Sequence, residues 1–586
     1  MVEEMMDEKK FVQREMNRRD VMRGAAATAA VLGAKNAFAG MLPSGNSGGN
    51  FGVDVMRSPD AVEIFLGLRE RTRFAMQPRG GKWIVSDAAG GGAEMQYEVN
   101  AGLATASLLC PGAAAQRVHL RWNGLLREDL LVLGDAWERS YGDLQWQTLQ
   151  PTRVLPWYCA VQDGPSSTGA GATHGFGVAI GAASFAFWQV DERGISLWLD
   201  VRNGGNGVQL GNRKLTMATV VTHSSVGNNS FAAVKQLCVK MADAGGVPRR
   251  EKPLLIYGSN DWYYAYGKSS EADILRDADL MQELAPMRGA RPFTVVDEGY
   301  ANNKLFGDMA SVAEKIRARN VRPGLWIRPL RADATSSKSW LMPAARGGRR
   351  PDNEPAYDPT NPEGLEAALA VVRQAAAWGY ELIKHDFTTY DLLGQWGFAM
   401  GASPAMDGWN FYDGTRTSAQ IIRDFYVAMR KTAGAEKIIL GCNTVLHLGA
   451  GIFDTQRTGD DVSGRDWSRT RKMGVNTLAF RQPQHNIFHV NDPDCVPLSA
   501  KIPWTLTEQW LRVVAGSGTA LIISPEASSV GAEQKAALRN AFAELAAGGA
   551  TAEPTDWMET ITPEAWRRNG KTVRYNWTEP EGASPF

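Results

Sequence analysis

Lys384-His385-Asp386 is the stretch of this chain best placed to do chemistry. It closes the apolar run Gly379-Tyr380-Glu381-Leu382-Ile383, which reads as a buried strand. Alternation along a strand puts Lys384 and Asp386 on one face, two residues apart, and turns His385 the other way into a structural position. A lysine and an aspartate side by side at the C-terminal end of a barrel strand suggest a catalytic carboxylate held ionised beside a cation. An isolated Lys-x-Asp is more often a buried structural ion pair, so the reading depends on what accompanies it.

The rest of the chain supplies the company. From about residue 250, strand patterns alternate with amphipathic helix patterns. Leu254-Leu255-Ile256-Tyr257 precedes a helix over residues 270–284; Phe293-Thr294-Val295-Val296 precedes one over 309–319; Gly324-Leu325-Trp326-Ile327 follows. A helix over 362–378 leads into Glu381-Leu382-Ile383, and one over 418–432 into Lys437-Ile438-Ile439-Leu440. Asn476-Thr477-Leu478-Ala479-Phe480 and Ala520-Leu521-Ile522-Ile523 read as later strands. About eight such units in this length imply an α/β fold, a closed (β/α)8 TIM barrel. Residues from about 45 to 240 show no long helical periodicity, only short alternating runs such as Arg117-Val118-His119-Leu120-Arg121-Trp122 between Gly, Asn and Asp clusters. That is the pattern of an N-terminal antiparallel β-sandwich domain. One alternating run, Thr572-Val573-Arg574-Tyr575-Asn576-Trp577, predicts a short C-terminal β segment.

Active sites of such barrels lie where the strands end. Each exit carries polar or aromatic groups: Asn260-Asp261-Trp262 after the first strand, Asp297-Glu298-Gly299-Tyr300 after the second, Trp326-Ile327-Arg328 on the third, Cys442-Asn443 after the fifth. Arg457-Thr458-Gly459-Asp460-Asp461 lies beyond, and His489-Val490-Asn491-Asp492-Pro493-Asp494 falls on the seventh. Carboxylates accept hydrogen bonds from neighbouring hydroxyls and aromatic faces cover C–H patches, so this lining suits a neutral sugar, and two carboxylates across its ring would form the acid/base pair of glycoside hydrolysis.

These motifs resemble the clan of retaining α-galactosidases and α-N-acetylgalactosaminidases, glycoside hydrolase families 27 and 36. Lys384 and Asp386 match its Lys-x-Asp nucleophile motif, Arg457 and Asp461 its Arg-x-x-x-Asp motif, and Asn491 to Asp494 its Asn-Asp-Pro-Asp motif. Asp297 to Tyr300 resembles its Asp-Asp-Gly-Trp with two changes, and Asp261-Trp262 its motif after strand one; the order agrees across residues 254–525. The resemblance implies Asp386 as nucleophile and Asp461 as acid/base, with carboxyls about 5 Å apart, as retention requires. The adjacent Asp460 competes for the second role: Arg-x-x-x-Asp spacing selects Asp461, whereas position directly after a small residue, Gly459, selects Asp460. It further implies substrate contacts from Asp261, Trp262, Asp297, Glu298, Trp326, Lys384, Asn443, Arg457 and Asp494, without metal or cofactor. Arg328 is placed either to bind an acidic substituent or to pair with a carboxylate, and the ion pair is preferred. The implied activity is a retaining exo-α-galactosidase. An α-N-acetylgalactosaminidase, a transglycosylase or a non-catalytic sugar-binding barrel are alternatives.

Totals set the remaining bounds. The 63 basic residues equal the 63 acidic ones, which gives no footprint for nucleic acid. The partner expected is an oligosaccharide or glycan; an oligomer is open. Five scattered cysteines contain no paired metal or redox motif. Arg18-Arg19, an alanine-rich run over residues 24–34 and Ala37-Phe38-Ala39 read as a twin-arginine leader for export to the periplasm or beyond. That run is too short to span a bilayer, and no later segment looks transmembrane. The domains expected are thus residues 1–39, leader; 40–248, β-sandwich; 249–530, barrel; 531–586, C-terminal helix and β segment.

Overall fold

A computed structural model describes residues 51–579, apart from 165–170, 228, 251–253, 287–288, 301–303, 334 and 348–353. The expected leader lies outside the described residues.

The N-terminal part consists of two antiparallel sheets. One has six strands with Gly194–Asp200, Ala115–Asn123 and Ala61–Leu66 adjacent near its centre. The other has nine and is built around the long strand Gly211–Val226. In Ala115–Asn123, Val118, Leu120 and Trp122 are fully buried on one face, which is the alternation seen in the sequence. The helix Ser230–Ala244 follows, where only strands were expected. It is capped by the Asn229 side chain, which accepts from Ala232 N–H, and it buries Phe231, Val234, Leu237, Cys238 and Met241. This stripe has helical spacing, but it sits between two β-rich stretches and was absorbed into them.

Nine parallel strands form the second part: β1 (Tyr257–Asn260), β2 (Phe293–Val296), β3 (Arg322–Ile327), β4 (Leu382–His385), β5 (Ile438–Gly441), β6 (Thr455–Arg457), β7 (Val490–Asp492), β8 (Cys495–Leu498) and β9 (Leu521–Pro525). Their order in the curled sheet is β7-β6-β5-β4-β3-β2-β1-β9-β8. Ala520 N–H, at the entry to β9, donates to Asn491 O of β7 at 2.9 Å, so the ends meet. β7 and β8 are two halves of one strand position, broken at Asp494, whose φ is 72°. The intervening helices begin where side chains satisfy their first N–H groups. Ser270 and Asp273 form a capping box for Glu271–Leu284, Thr417 and Gln420 one for Ser418–Ala433, and Asn361 caps Pro362–Ala377 with proline at its first turn. The chain ends in the helix Ala532–Ala547 and a three-stranded antiparallel sheet that includes Lys571–Arg574.

Two barrel expectations are corrected. Residues 476–480 are not a strand: Arg471–Asn476 is a π-helical turn that runs into the α-helix Thr477–Arg481. A short apolar run carries no period by which a strand can be told from a buried helix. The sixth strand is instead Thr455-Gln456-Arg457, which is buried yet wholly polar and so gives no hydrophobic signal. β1 also begins three residues later than the apolar run at 254, so Asn260 ends the strand rather than following it.

Candidate active site

Asp386 follows the last residue of β4, and its carboxylate is surrounded by donors. Oδ1 accepts from Phe387 N–H at 2.7 Å and Asn443 N–H at 3.2 Å; Oδ2 accepts from the Trp326 indole N–H at 3.2 Å. Trp326 is paired with Lys384 in the β3–β4 register, which is why the indole reaches the end of the neighbouring strand. Phe387 adopts a left-handed conformation, φ 60°, costly for a side chain of this size. The Arg328 guanidinium lies 4.3 Å over its ring and helps to hold it. Burial would push the Asp386 carboxyl up; the Arg139 guanidinium foremost, then Lys384 and the Phe387 N–H, outweigh it and hold the group below the usual range.

Lys384 therefore does not act on Asp386 alone. Its Nζ donates to Asp297 Oδ2 at 2.6 Å, and this carboxylate, chiefly, keeps the buried amine charged against burial. Asn260 Nδ2 donates to the same oxygen at 2.7 Å, while Asp297 Oδ1 accepts from Glu298 N–H. Asp261 lies behind, 1% exposed, its oxygens taken by Ser269 Oγ at 2.5 Å and Asp297 N–H at 2.8 Å. Burial, reinforced by Asp297, lifts the Asp261 carboxyl to about 7. Glu298 is also lifted to about 7, by burial first and then by Asp297 and Asp386. The Trp262 backbone N–H is tied to Asn260 Oδ1, and its half-buried ring lies 5.9 Å from that of Tyr266.

The facing wall follows β6. Arg457 is fully buried and donates to Asp494 at 2.6 Å, Gly459 O at 3.2 Å and Asp461 Oδ1 at 3.4 Å. Asp494 also accepts from Val462 N–H at 3.0 Å and from the Tyr263 hydroxyl, so it braces this wall. Asp460 lies between two guanidiniums, Arg139 at 2.9 Å and Arg469 at 2.7 Å. Asp461 is 3.8 Å from Arg139 and 3.4 Å from Arg457. Gly459 must be glycine: a Cβ there would stand 2.2 Å from Met473 O.

Arg139, Glu138 and Tyr141 come from the β-rich part and were not anticipated from the sequence. Their segment lies along the end of β6: Ser140 N–H donates to Thr458 O, and Asp460 N–H to Ser140 O, both at 2.9 Å. Glu138 accepts from the Asn443 side chain, from Tyr141 Oη at 2.5 Å and from Gly397 N–H at 2.9 Å, and burial lifts its carboxyl to about 7. No spacing in the sequence ties residue 139 to residue 460, and the neighbouring Trp137 is a core residue packed edge-on against Trp157 and Phe185. His447 is likewise buried, stacked on Trp157 and 3.4 Å from Asp135. Arg328 pairs with Asp391 and Glu354, the ion-pair alternative. Among the described residues, no group of three or more His, Cys, Asp or Glu is placed to hold a metal ion, no helix is long and apolar enough to cross a membrane, and the five cysteines are buried thiols.

A scan against protein-family models finds no match. Solved structures do match over most of the chain. An α-galactosidase from Thermus thermophilus, in complex with p-nitrophenyl α-D-galactopyranoside, superposes with a TM-score of 0.55 at 19% identity, over 83% of this chain and 97% of its own. The fold is that of the family 36 α-galactosidases. A family 36 α-galactosidase from Geobacillus stearothermophilus, in complex with raffinose, gives 0.54 at 12% identity over 86% and 78%. The galactosidase domain of an α-galactosidase–sucrose kinase gives 0.52 at 14% identity over 87% and 75%. The family 36 likeness thus takes in the β-rich part as well as the barrel.

Proposed function

We propose that the protein is a retaining exo-α-galactosidase. The observation that carries this reading is the pairing of Asp386, kept anionic by three N–H donors and two cations, with Asp461, which shares the Arg139 guanidinium. In this reading Asp386 attacks the anomeric carbon while Asp461 protonates the leaving oxygen; Asp461 then takes a proton from water as the glycosyl ester is cleaved. Asp460, fixed between two arginines, is the poorer proton carrier of the adjacent pair. Asp297, Lys384 and Glu298 meet the hydroxyls on the far side of the ring. Asp261, which accepts from Ser269 and Asp297, and Asp494, which accepts from Arg457, Tyr263 and Val462, act as positioning residues. Asn443, Thr444, Val445 and Leu446 are all buried, and Asn443 and Thr444 are bonded to Glu138 and Gln456. The loop after β5 therefore presents none of these side chains to a 2-acetamido group, which supports galactose over N-acetylgalactosamine. The leader in the sequence supports export.

The test is turnover of p-nitrophenyl α-galactoside and its 2-acetamido analogue. The galactoside should be hydrolysed with first-formed α-galactose, and D386G should be inert until azide restores turnover as the β-galactosyl azide. No turnover of any α-glycoside would remove the enzyme reading; an α-azide would make Asp386 the acid/base.

A further inference from the structure

Tyr141 of the β-rich part meets the turn Gly397–Met400, which follows β4, and together they carry aromatic surface that no step of the proposed reaction uses. Phe398 is 64% exposed, and its ring centroid lies 5.6 Å from that of the half-buried Tyr141. Trp396, also half-buried, lies 5.0 Å from Tyr390 and 5.7 Å from Phe387, the residue after Asp386. The Arg139 guanidinium stands 5.6 Å from the Trp396 ring and 6.0 Å from the Tyr141 ring, and it is also 2.9 Å from Asp460 and 3.8 Å from Asp461. Ser140, next to Tyr141, is hydrogen-bonded to Thr458 and Asp460. The rings therefore border the Asp460–Asp461 side, from which the leaving oxygen would be protonated.

This surface is held in place from both parts of the molecule. Glu138 Oε1 accepts from Tyr141 Oη at 2.5 Å and from Gly397 N–H at 2.9 Å, so one carboxylate joins the two chain segments. The Trp137 indole N–H donates to Gly401 O at 2.7 Å, at the far end of the turn. Gly397 lies against the Tyr141 ring: a Cβ there would stand 2.8 Å from Cε2. Rings fixed in this way offer contact area at little cost in side-chain freedom. An open phenyl face suits the C–H patch of a sugar ring. Arg139, the cation beside it, is already engaged by Asp460, which favours a neutral ring over an acidic one.

We propose that Phe398, Tyr141 and Trp396 form a leaving-group subsite, on which the neutral sugar next to the galactosyl unit stacks. The inference rests on the functional reading above and extends it. The preferred substrate is an α-galactosyl oligosaccharide rather than a simple galactoside, and its second sugar rests on a surface shared by the β-rich part and the barrel.

The test compares kcat/KM for neutral α-galactosyl disaccharides of different linkage with that for α-galactosyl fluoride, whose leaving group cannot reach these rings. In F398A the ratio of the best disaccharide to the fluoride should fall about five- to tenfold, mostly through KM, the scale of a lost ring stack. F398Y and F398W should restore it. Phe398 lies outside the core, so F398A should fold as the wild type does. A ratio unmoved in F398A, or a wild type that cleaves the fluoride but no disaccharide, would overturn the proposal. So would an unmoved ratio with a changed sedimentation coefficient, which would make this face a contact between copies of the chain. A wild type inert toward the fluoride as well would remove the functional reading, and the subsite with it.

Discussion

The two sides of the site are built differently. The Asp386 side is assembled by the barrel: Trp326 comes from β3, Lys384 from β4, Asp297 from the end of β2, and adjacent strands bring them into register. The Asp460–Asp461 side is assembled across the molecule, with Arg139 from the β-rich part and Arg469 from the helix Trp467–Thr470. Neighbouring strands thus hold the Asp386 carboxylate at a fixed place, which the proposed attack would require. Here the cations hold the two adjacent carboxylates unequally: Asp460 meets Arg139 at 2.9 Å and Arg469 at 2.7 Å, whereas Asp461 meets Arg457 at 3.4 Å and Arg139 at 3.8 Å.

Ways to break that contrast run from large to small. D386A should lower kcat by roughly 10⁴-fold or more in steady-state hydrolysis, the scale on which nucleophiles that work as part of a unit are lost. D461N should lower turnover of an unactivated galactoside by about 10²–10⁴-fold, but much less with a nitrophenyl leaving group that needs no proton. D460N should fail to reproduce that dependence on the leaving group; if it reproduces it, the two aspartates exchange roles. Replacing Arg457 by methionine leaves Asp494 buried without its cation and should cost about 3–5 kcal/mol in urea unfolding. W326F removes one donor to a charged acceptor and should lower kcat by about tenfold, with little change in KM.

The smallest effect concerns pH. Glu298 has a carboxyl lifted by burial to about 7 from an ordinary 4.5. The folded state therefore holds its proton more tightly than the unfolded chain does. Its contribution to stability is complete below about 4.5 and is lost as pH rises through about 7. E298Q should flatten the fall in urea-unfolding free energy over that window. Asp386 has the opposite sign: its contribution is present above the ordinary carboxyl value and is lost as pH falls through its depressed one.

The Asp386 side was the more legible in the sequence for the same reason that it is local. Lys384 and Asp386 are two residues apart on an apolar strand, and Asp297 and Glu298 follow another, so period and strand order suffice to bring them together. β6 was hidden because Thr455-Gln456-Arg457 is polar although buried, each side chain bonded to another buried group: Thr455 to Val490 O, Gln456 to Thr444 and Arg457 to Asp494. The helix through residue 476 was hidden by an irregular π-helical turn that breaks the 3.6-residue period. The helix Ser230–Ala244 had the period, and the strand-rich region around it masked the stripe.

The sequence by itself determined the alternation of strands and helices, the order of polar groups at the strand ends, and the placing of Lys384 and Asp386 on one face. These follow from side-chain periodicity and turn chemistry, which act over a few residues. Only the tertiary structure decided that Lys384 is shared with Asp297, that Asp261 and Asp494 are braces, and that Arg139 lies between Asp460 and Asp461. The contact of Arg139 with Asp460 joins distant parts of the chain through one hydrophobic core that continues from the β-rich part into the barrel, and local pattern carries no record of that.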